Sequence, residues 1–146
     1  MTTGEIEMGT ERTLAIVKPD AVSRGLAGPI LARIDKAGFR IAAIKSLRLT
    51  VVEAEGFYAV HRGKGFFAEL TEFMSSGKII VLVLEAENAI LRWRETMGAT
   101  DPAKAAPGTI RKDFGTSIQN NCTHGSDAPG TAAFEIAYYF AGYELL

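Results

Sequence analysis

KIIVLVL, residues 78–84, is the clearest buried strand in the chain: apolar residues stand on both parities and β-branched side chains are enriched. On its N-terminal side, Ser75-Ser76-Gly77 closes a segment in which Phe66, Phe67, Leu70, Phe73 and Met74 repeat at helical spacing. Gly63-Lys64-Gly65 separates that helix from an earlier one carrying Phe57, Tyr58 and His61, whose opening Thr50-Val51-Val52-Glu53 has the spacing of a capping box. In residues 39–49 the odd positions Phe39, Ile41, Ala43, Leu47 and Leu49 are apolar and Arg40 and Arg48 lie on the other parity. This alternation predicts a half-buried strand, with Lys45 as its one exception. Gly28-Pro29 predicts the start of a helix striped by Ile30, Leu31 and Ile34 and ended at Gly38. Residues 13–17 (TLAIV) predict a strand that runs out into a turn at Lys18-Pro19-Asp20.

On the C-terminal side, a helix over residues 88–97 packs Ala89, Ile90, Trp93 and Met97 inward and stops at Gly98. Residues 99–118 hold Pro102, Pro107, Gly108 and Gly115 without a sustained period, which predicts a functional loop carrying Thr100, Arg111 and Lys112. A short strand runs into His124, and a helix over residues 131–140 closes the chain. Strand, helix, strand, helix pair, strand, helix, loop, strand, helix is the order of a β-α-β-β-α-β domain of the α/β (α+β) class. That order predicts a four-stranded antiparallel sheet with helices on one face. A doubly wound parallel sheet is the alternative, and the strand order is not readable from the pattern.

The chain has 146 residues, one cysteine and a net charge of −1. Residues 1–10 read as a loose polar arm and residues 11–146 as one domain, long enough for a real core. Cys122 alone makes neither a disulfide framework nor a zinc set, so the chain reads as intracellular and cytoplasmic. The opening residues carry Glu5, Glu7, Glu11 and Arg12 with no apolar stretch of a signal peptide, and no apolar run is long enough to span a bilayer. Near-neutral charge gives no general attraction to nucleic acid or to an anionic membrane, so an anionic ligand has to be met by local clusters.

The run Asn121-Cys122-Thr123-His124-Gly125-Ser126-Asp127 carries the chemistry. It sets one of only two histidines among hydrogen-bonding side chains and a glycine, which is how a reactive imidazole is presented rather than packed. A neutral imidazole nitrogen can attack phosphorus and leave again, so His124 is the candidate nucleophile. The plainer reading is a strand-end histidine bonded to its neighbours. Glu135, in the following helix, could orient the ring, or it could be an ordinary solvated glutamate. Phosphoryl transfer also needs positive donors, for which Lys18 at a strand exit, Arg94 late on a helix with Thr100 just beyond, and Arg111 in the long loop are candidates. His61 reads as a partly exposed structural residue. Asp113-Phe114-Gly115 matches a protein-kinase motif by coincidence, because the chain is too short and has no His-Arg-Asp loop. No phosphate loop of the Gly-x-x-x-x-Gly-Lys-Ser/Thr type is present.

With Lys18-Pro19-Asp20, Tyr58, Phe66-Phe67, Arg94, Thr100-Asp101-Pro102, Pro107-Gly108-Thr109-Ile110-Arg111 and Asn121-x-x-His124-Gly125-Ser126-Asp127 in hand, the chain closely resembles nucleoside diphosphate kinases from about residue 11 to residue 143. The resemblance implies a ferredoxin-like fold. It also implies exchange of the terminal phosphate between nucleoside tri- and diphosphates by a ping-pong route through phosphohistidine at His124. Position by position, Lys18, Arg94, Thr100 and Arg111 would contact phosphates, and Lys18 and Asn121 the sugar hydroxyls. Tyr58 would help place Lys18 and the phosphates, Phe66 and Ile118 would clamp the base, and Ser126 and Glu135 would hold the ring. Mg²⁺ would arrive with the nucleotide rather than fill a protein cage, and the family forms homo-oligomers, tetramers or hexamers. Gly65 stands where many relatives have proline. The competing reading is a nucleotide-binding regulatory module without turnover; a nucleic-acid-binding domain lacks the basic, aromatic sheet face it would need.

Overall fold

The computed structural model describes residues 10–146, so the arm expected over residues 1–10 lies outside the described residues except for Thr10, which opens the first strand. The chain runs β1 (Thr10–Val17), α1 (Pro19–Ser23), α2 (Ala27–Lys36), β2 (Arg40–Leu47), α3 (Val51–Phe57) and a 3₁₀ turn (Ala59–His61). It continues through α4 (Phe67–Met74), β3 (Ile79–Glu87), α5 (Ala89–Met97), a 3₁₀ turn (Pro102–Lys104), α6 (Ile110–Phe114), β4 (Thr123–Gly125), α7 (Pro129–Tyr139) and a final 3₁₀ turn (Gly142–Leu145). The strands form one sheet in the order β2-β3-β1-β4, every pair antiparallel, which is the β-α-β-β-α-β arrangement and removes the parallel alternative.

Helices cover both faces of the sheet, not one. Ala15 and Val17 of β1 and Leu82 and Leu84 of β3 pack with Ile30 and Ile34 of α2 and Trp93 and Met97 of α5. Leu14 and Ile16 of β1 and Ile79, Val81 and Val83 of β3 pack on the other side with Ala54 and Phe57 of α3, Met74 of α4 and Phe140 after α7. The two crossover helices account for the first face. The second is covered by the β2–β3 connection and by the helix that follows β4, neither of which belongs to the crossovers. Apolar residues on both parities of residues 78–84 are the local cause: β3 and β1 are central strands with no side to give to water.

Three further expectations are corrected. Pro19, read as part of a turn, begins the short helix α1, where the missing proline N–H costs nothing. Residues 99–118 are not one loop: Asp101 caps the Pro102–Lys104 turn and the Thr109 side chain accepts from the Lys112 N–H at 3.3 Å to open α6, so Arg111 sits on a helix. In β2, Ile41 pairs with Leu84 and Ala43 with Val83, leaving Ala42 as a bulge. The extra residue switches the inward face, so Phe39 and Ile41 join the first core and Ala43 and Leu47 the second. Lys45, the exception in the alternation, points inward with them and spends its ammonium on the Tyr139 carbonyl at 2.8 Å and the Glu144 carboxylate at 3.1 Å.

The Thr50 capping box forms as read, with Glu53 N–H to Thr50 Oγ1 at 3.1 Å and Thr50 N–H to Glu53 Oε1 at 2.8 Å. α5 ends at Gly98, whose φ of 87° is open to glycine. β4 then presses onto α5 through Gly125: a Cβ there would stand 2.5 Å from Trp93 Cδ1 and 2.7 Å from Met97 Cε. Gly125→Ala is therefore expected to lower unfolding stability by about 1–3 kcal/mol in a urea titration. An unchanged midpoint would mean that α5 can retreat from β4.

Candidate active site

His124 lies at the centre of β4, opposite Ile16 of β1. The chain reaches it through a tight clamp in which Cys122 adopts φ 76°, donates its N–H to Asp20 Oδ2 at 3.1 Å and accepts from the Lys18 N–H at 2.8 Å. Beyond β4, Ser126 donates its hydroxyl to Glu135 Oε1 at 2.7 Å and accepts from the Leu14 N–H at 3.2 Å. The same Glu135 oxygen lies 3.1 Å from His124 Nε2. A carboxylate can only accept, so a hydrogen bond across this contact requires the hydrogen on Nε2, and in the neutral ring that tautomer leaves the lone pair on Nδ1. Among the described residues nothing bonds Nδ1. Glu135 is only 7% exposed, which overturns the reading of it as a solvated helix residue. The Phe57 and Tyr58 rings meet the imidazole edge-on at centroid distances of 5.6 and 6.3 Å, and Trp93 Nε1 donates to the His124 carbonyl at 3.1 Å.

Lys18 follows β1 directly and is buried. Its ammonium donates to Asn121 Oδ1 at 2.7 Å and to the Gln119 carbonyl at 3.0 Å, and lies over the Phe73 ring. Burial lowers its pKa from 10.5 to about 8, partly opposed by Asp20 and reinforced by Arg111. Asn121 turns its other end to the Thr100 carbonyl at 3.0 Å, so one amide joins the lysine to the segment after α5. Arg111 is also buried, donating to the carbonyls of Gly98 at 3.0 Å and Thr123 at 2.8 Å, while its Nε has no partner among the described residues. Burial first, then the Arg94 charge, bring its pKa down to about 10. Arg94 and Thr100 are exposed and line a recess of about 580 Å³ together with Arg111.

Burial singles two of these cations out. Lys18 and Arg111 are the buried cationic side chains among the described residues, and neither forms an ion pair. Arg12, Arg33, Arg40 and Lys45, all more exposed, each meet a carboxylate within 3.1 Å. Uncompensated buried charge is costly, which makes the Lys18 and Arg111 positions candidates for meeting an anionic ligand.

Phe66, 43% exposed, and Ile118, 62% exposed, face a recess of about 320 Å³ that Lys18, Glu69, Leu70 and Gln119 also line. Tyr58 is buried, which pushes its phenol well above the ordinary range, and it makes no hydrogen bond to Lys18; Asn121 and Gln119 do that work. The structure thus gathers His124, Ser126 and Glu135 in one hydrogen-bonded group, Lys18 and Asn121 in a second, Arg94, Thr100 and Arg111 in a third, and Phe66 and Ile118 in a fourth. The second and third are joined through Asn121.

His61 is part-exposed and packed as a structural residue, between Tyr58 and Phe66 with centroids 6.3 and 5.3 Å away, and its Nδ1 is buried without a partner among the described residues. Three other contributors escaped the sequence reading. Gln119 acts through its backbone carbonyl, which no residue type reveals. Trp93 and Asp20 looked like core and turn; the indole N–H and the carboxylate position the β4 backbone.

A family model described as nucleoside diphosphate kinase matches residues 11–145. A nucleoside diphosphate kinase of Syntrophotalea carbinolica is 61% identical over 136 residues, spanning 93% of this chain and 99% of its own length. One from Geobacter sulfurreducens is 57% identical over the same span. Among solved structures, the Aquifex aeolicus nucleoside diphosphate kinase superposes with a TM-score of 0.91 at 49% identity, covering 94% of this chain and 99% of that one. The Halobacterium salinarum nucleoside diphosphate kinase in complex with CDP gives 0.89 at 42% identity, covering 93% and 91%. Matches of this extent, on a sheet and helix order of the ferredoxin-like kind, show that the chain belongs to the nucleoside diphosphate kinase family of enzymes.

Proposed function

We propose that this chain transfers the γ-phosphate of a nucleoside triphosphate to a nucleoside diphosphate by way of phosphohistidine at His124. The observation that carries the reading is the pairing of Nε2 with Glu135, which leaves the Nδ1 lone pair as the nucleophile. In the first half-reaction Nδ1 forms a bond to the γ-phosphorus while the bond from phosphorus to the β,γ-bridging oxygen breaks, and its electron pair leaves with the diphosphate. In the second, a terminal oxygen of the acceptor diphosphate attacks that phosphorus and the N–P bond returns its electrons to the ring. Glu135, held by Ser126, keeps its proton-accepting oxygen on Nε2 and stabilises the ring as it gains positive character. Arg94, Thr100 and Arg111 receive the charge on the moving group, and Lys18 with Asn121 reaches the sugar and the phosphates.

Among the described residues no group of three or more His, Cys, Asp or Glu side chains is set to hold a metal ion. Mg²⁺, which the family resemblance implies, would come with the nucleotide and supply positive charge to its phosphates beside Lys18, Arg94 and Arg111. Phe66 and Ile118 grip the base by stacking and apolar contact, which suits a broad range of nucleosides. The working unit is residues 11–146 as one domain, in a cytoplasmic homo-oligomer, tetramer or hexamer. No described helix is long and apolar enough to cross a membrane.

Incubation with γ-labelled ATP is expected to give an acid-labile, alkali-stable phosphoprotein that GDP discharges. Tight nucleotide binding with no labelled protein would instead establish a regulatory module without turnover. His124→Ala is expected to lower exchange by about 10⁴-fold or more while nucleotide binding persists; surviving turnover would remove His124 from its role. Lys18 predicts a pH signature. Above about 8 its ammonium is lost in the free protein, so nucleotide affinity measured by calorimetry is expected to fall with rising pH, by up to about tenfold per unit. Stability has the opposite sign: between about 8 and 10.5 the unfolded chain binds a proton that the folded one has released, so this residue's contribution rises with pH. Lys18→Met is expected to flatten both trends, and an unaltered affinity profile in that variant would contradict the assignment.

A further inference from the structure

The recess bounded by Phe66 and Ile118 has a polar side chain that the stacking description leaves unused. Glu69, one helical turn after Phe66 in α4, lines the same space of about 320 Å³, along with Leu70, Gln119 and Lys18. It is exposed, and its carboxylate makes no hydrogen bond or ion pair with any described residue. A carboxylate placed at the rim of an apolar slot accepts hydrogen bonds and donates none. Gln119, which both donates and accepts, cannot discriminate in this way.

We propose that Glu69 is a specificity-determining residue that reads the edge of the base and favours guanine. The proposal rests on the assignment of this recess to the base of a nucleotide. Guanine presents two neighbouring N–H donors, N1–H and the 2-amino group, spaced to meet the two oxygens of one carboxylate. Adenine and cytosine offer a single amino group beside an acceptor nitrogen, and uracil and thymine offer one N–H flanked by two carbonyl oxygens that repel the carboxylate. The apolar walls accept any ring, and Glu69 ranks the rings by the donors they carry. Because the carboxylate sits in water at the rim, its effect is a graded preference rather than exclusion.

Inosine diphosphate separates this role from packing, since it differs from guanosine diphosphate only by the missing 2-amino group. Equilibrium binding by calorimetry is expected to show the protein holding GDP about 3- to 10-fold more tightly than IDP. In Glu69→Ala the ratio is expected to approach one, with the loss falling on GDP and little change for UDP. Glu69→Gln, which keeps one acceptor and turns an amide N–H₂ toward the second donor, is expected to lie between. Discharge of the phosphoprotein by GDP and IDP reads the same ratio in turnover. A GDP:IDP ratio that is one in the unaltered protein, or the same in Glu69→Ala, overturns the role of Glu69. An absent phosphoprotein with the binding ratio intact overturns the kinase reading and leaves this one standing. Failure of every nucleotide to bind overturns both.

Discussion

One buried carboxylate oxygen ties the site to the fold. Glu135 Oε1 receives the Ser126 hydroxyl at 2.7 Å and faces His124 Nε2 at 3.1 Å, while Ser126 takes the Leu14 N–H. A carboxylate that is 7% exposed is tolerable only where its lone pairs are met, and here the donors come from β4 and the residue just after it. The bonds join α7 to β4 and, through Leu14, to β1 at the centre of the sheet. They also set the tautomer of the imidazole. The group that anchors the closing helix is thus the one that decides which ring nitrogen is available for chemistry.

Around that anchor the structure places cations without counter-charges. Lys18 and Arg111 leave water for the Gln119, Gly98 and Thr123 carbonyls and the Asn121 amide, and burial lowers both pKa values. Neutral partners of this kind hold the side chains in position without cancelling their charge. Under the proposed function, the phosphates of the nucleotide would supply the compensation that these neutral partners leave out. Arg12 and Arg40, by contrast, are neutralised by Glu85, whose own pKa falls because of the Arg40 and Arg12 hydrogen bonds.

Much of this was legible in the residues, and the exceptions have physical causes. The doubly apolar run at residues 78–84, the Thr50–Glu53 box and Gly98 are local signals; the box and the helix end formed where they were read, and the strand formed over Ile79–Glu87, three residues past the apolar run. The second covered face was missed because it depends on α3, α4 and α7 folding back over the sheet, a tertiary event, although the two-sided apolar pattern of β3 already called for it. Ala42 was invisible as a bulge because alternation on both sides of it keeps the same parity while the face changes. Arg111 was assigned to a loop because a five-residue helix shows no period. His124, Ser126 and Glu135 could be proposed as a group from the run after residue 121 and the family resemblance. The roles of Gln119 and Trp93 rest on backbone carbonyls, which carry no residue-specific mark.

The central claim is that Nδ1, not Nε2, is the reacting nitrogen, because Glu135 occupies the other. Nitrogen-15 and phosphorus-31 NMR of the phosphorylated protein, labelled in its histidines, assigns the N–P bond directly. The account requires the phosphorus coupling on Nδ1 of His124, with Nε2 retaining its proton. Coupling to Nε2, or phosphate carried on His61, would contradict it.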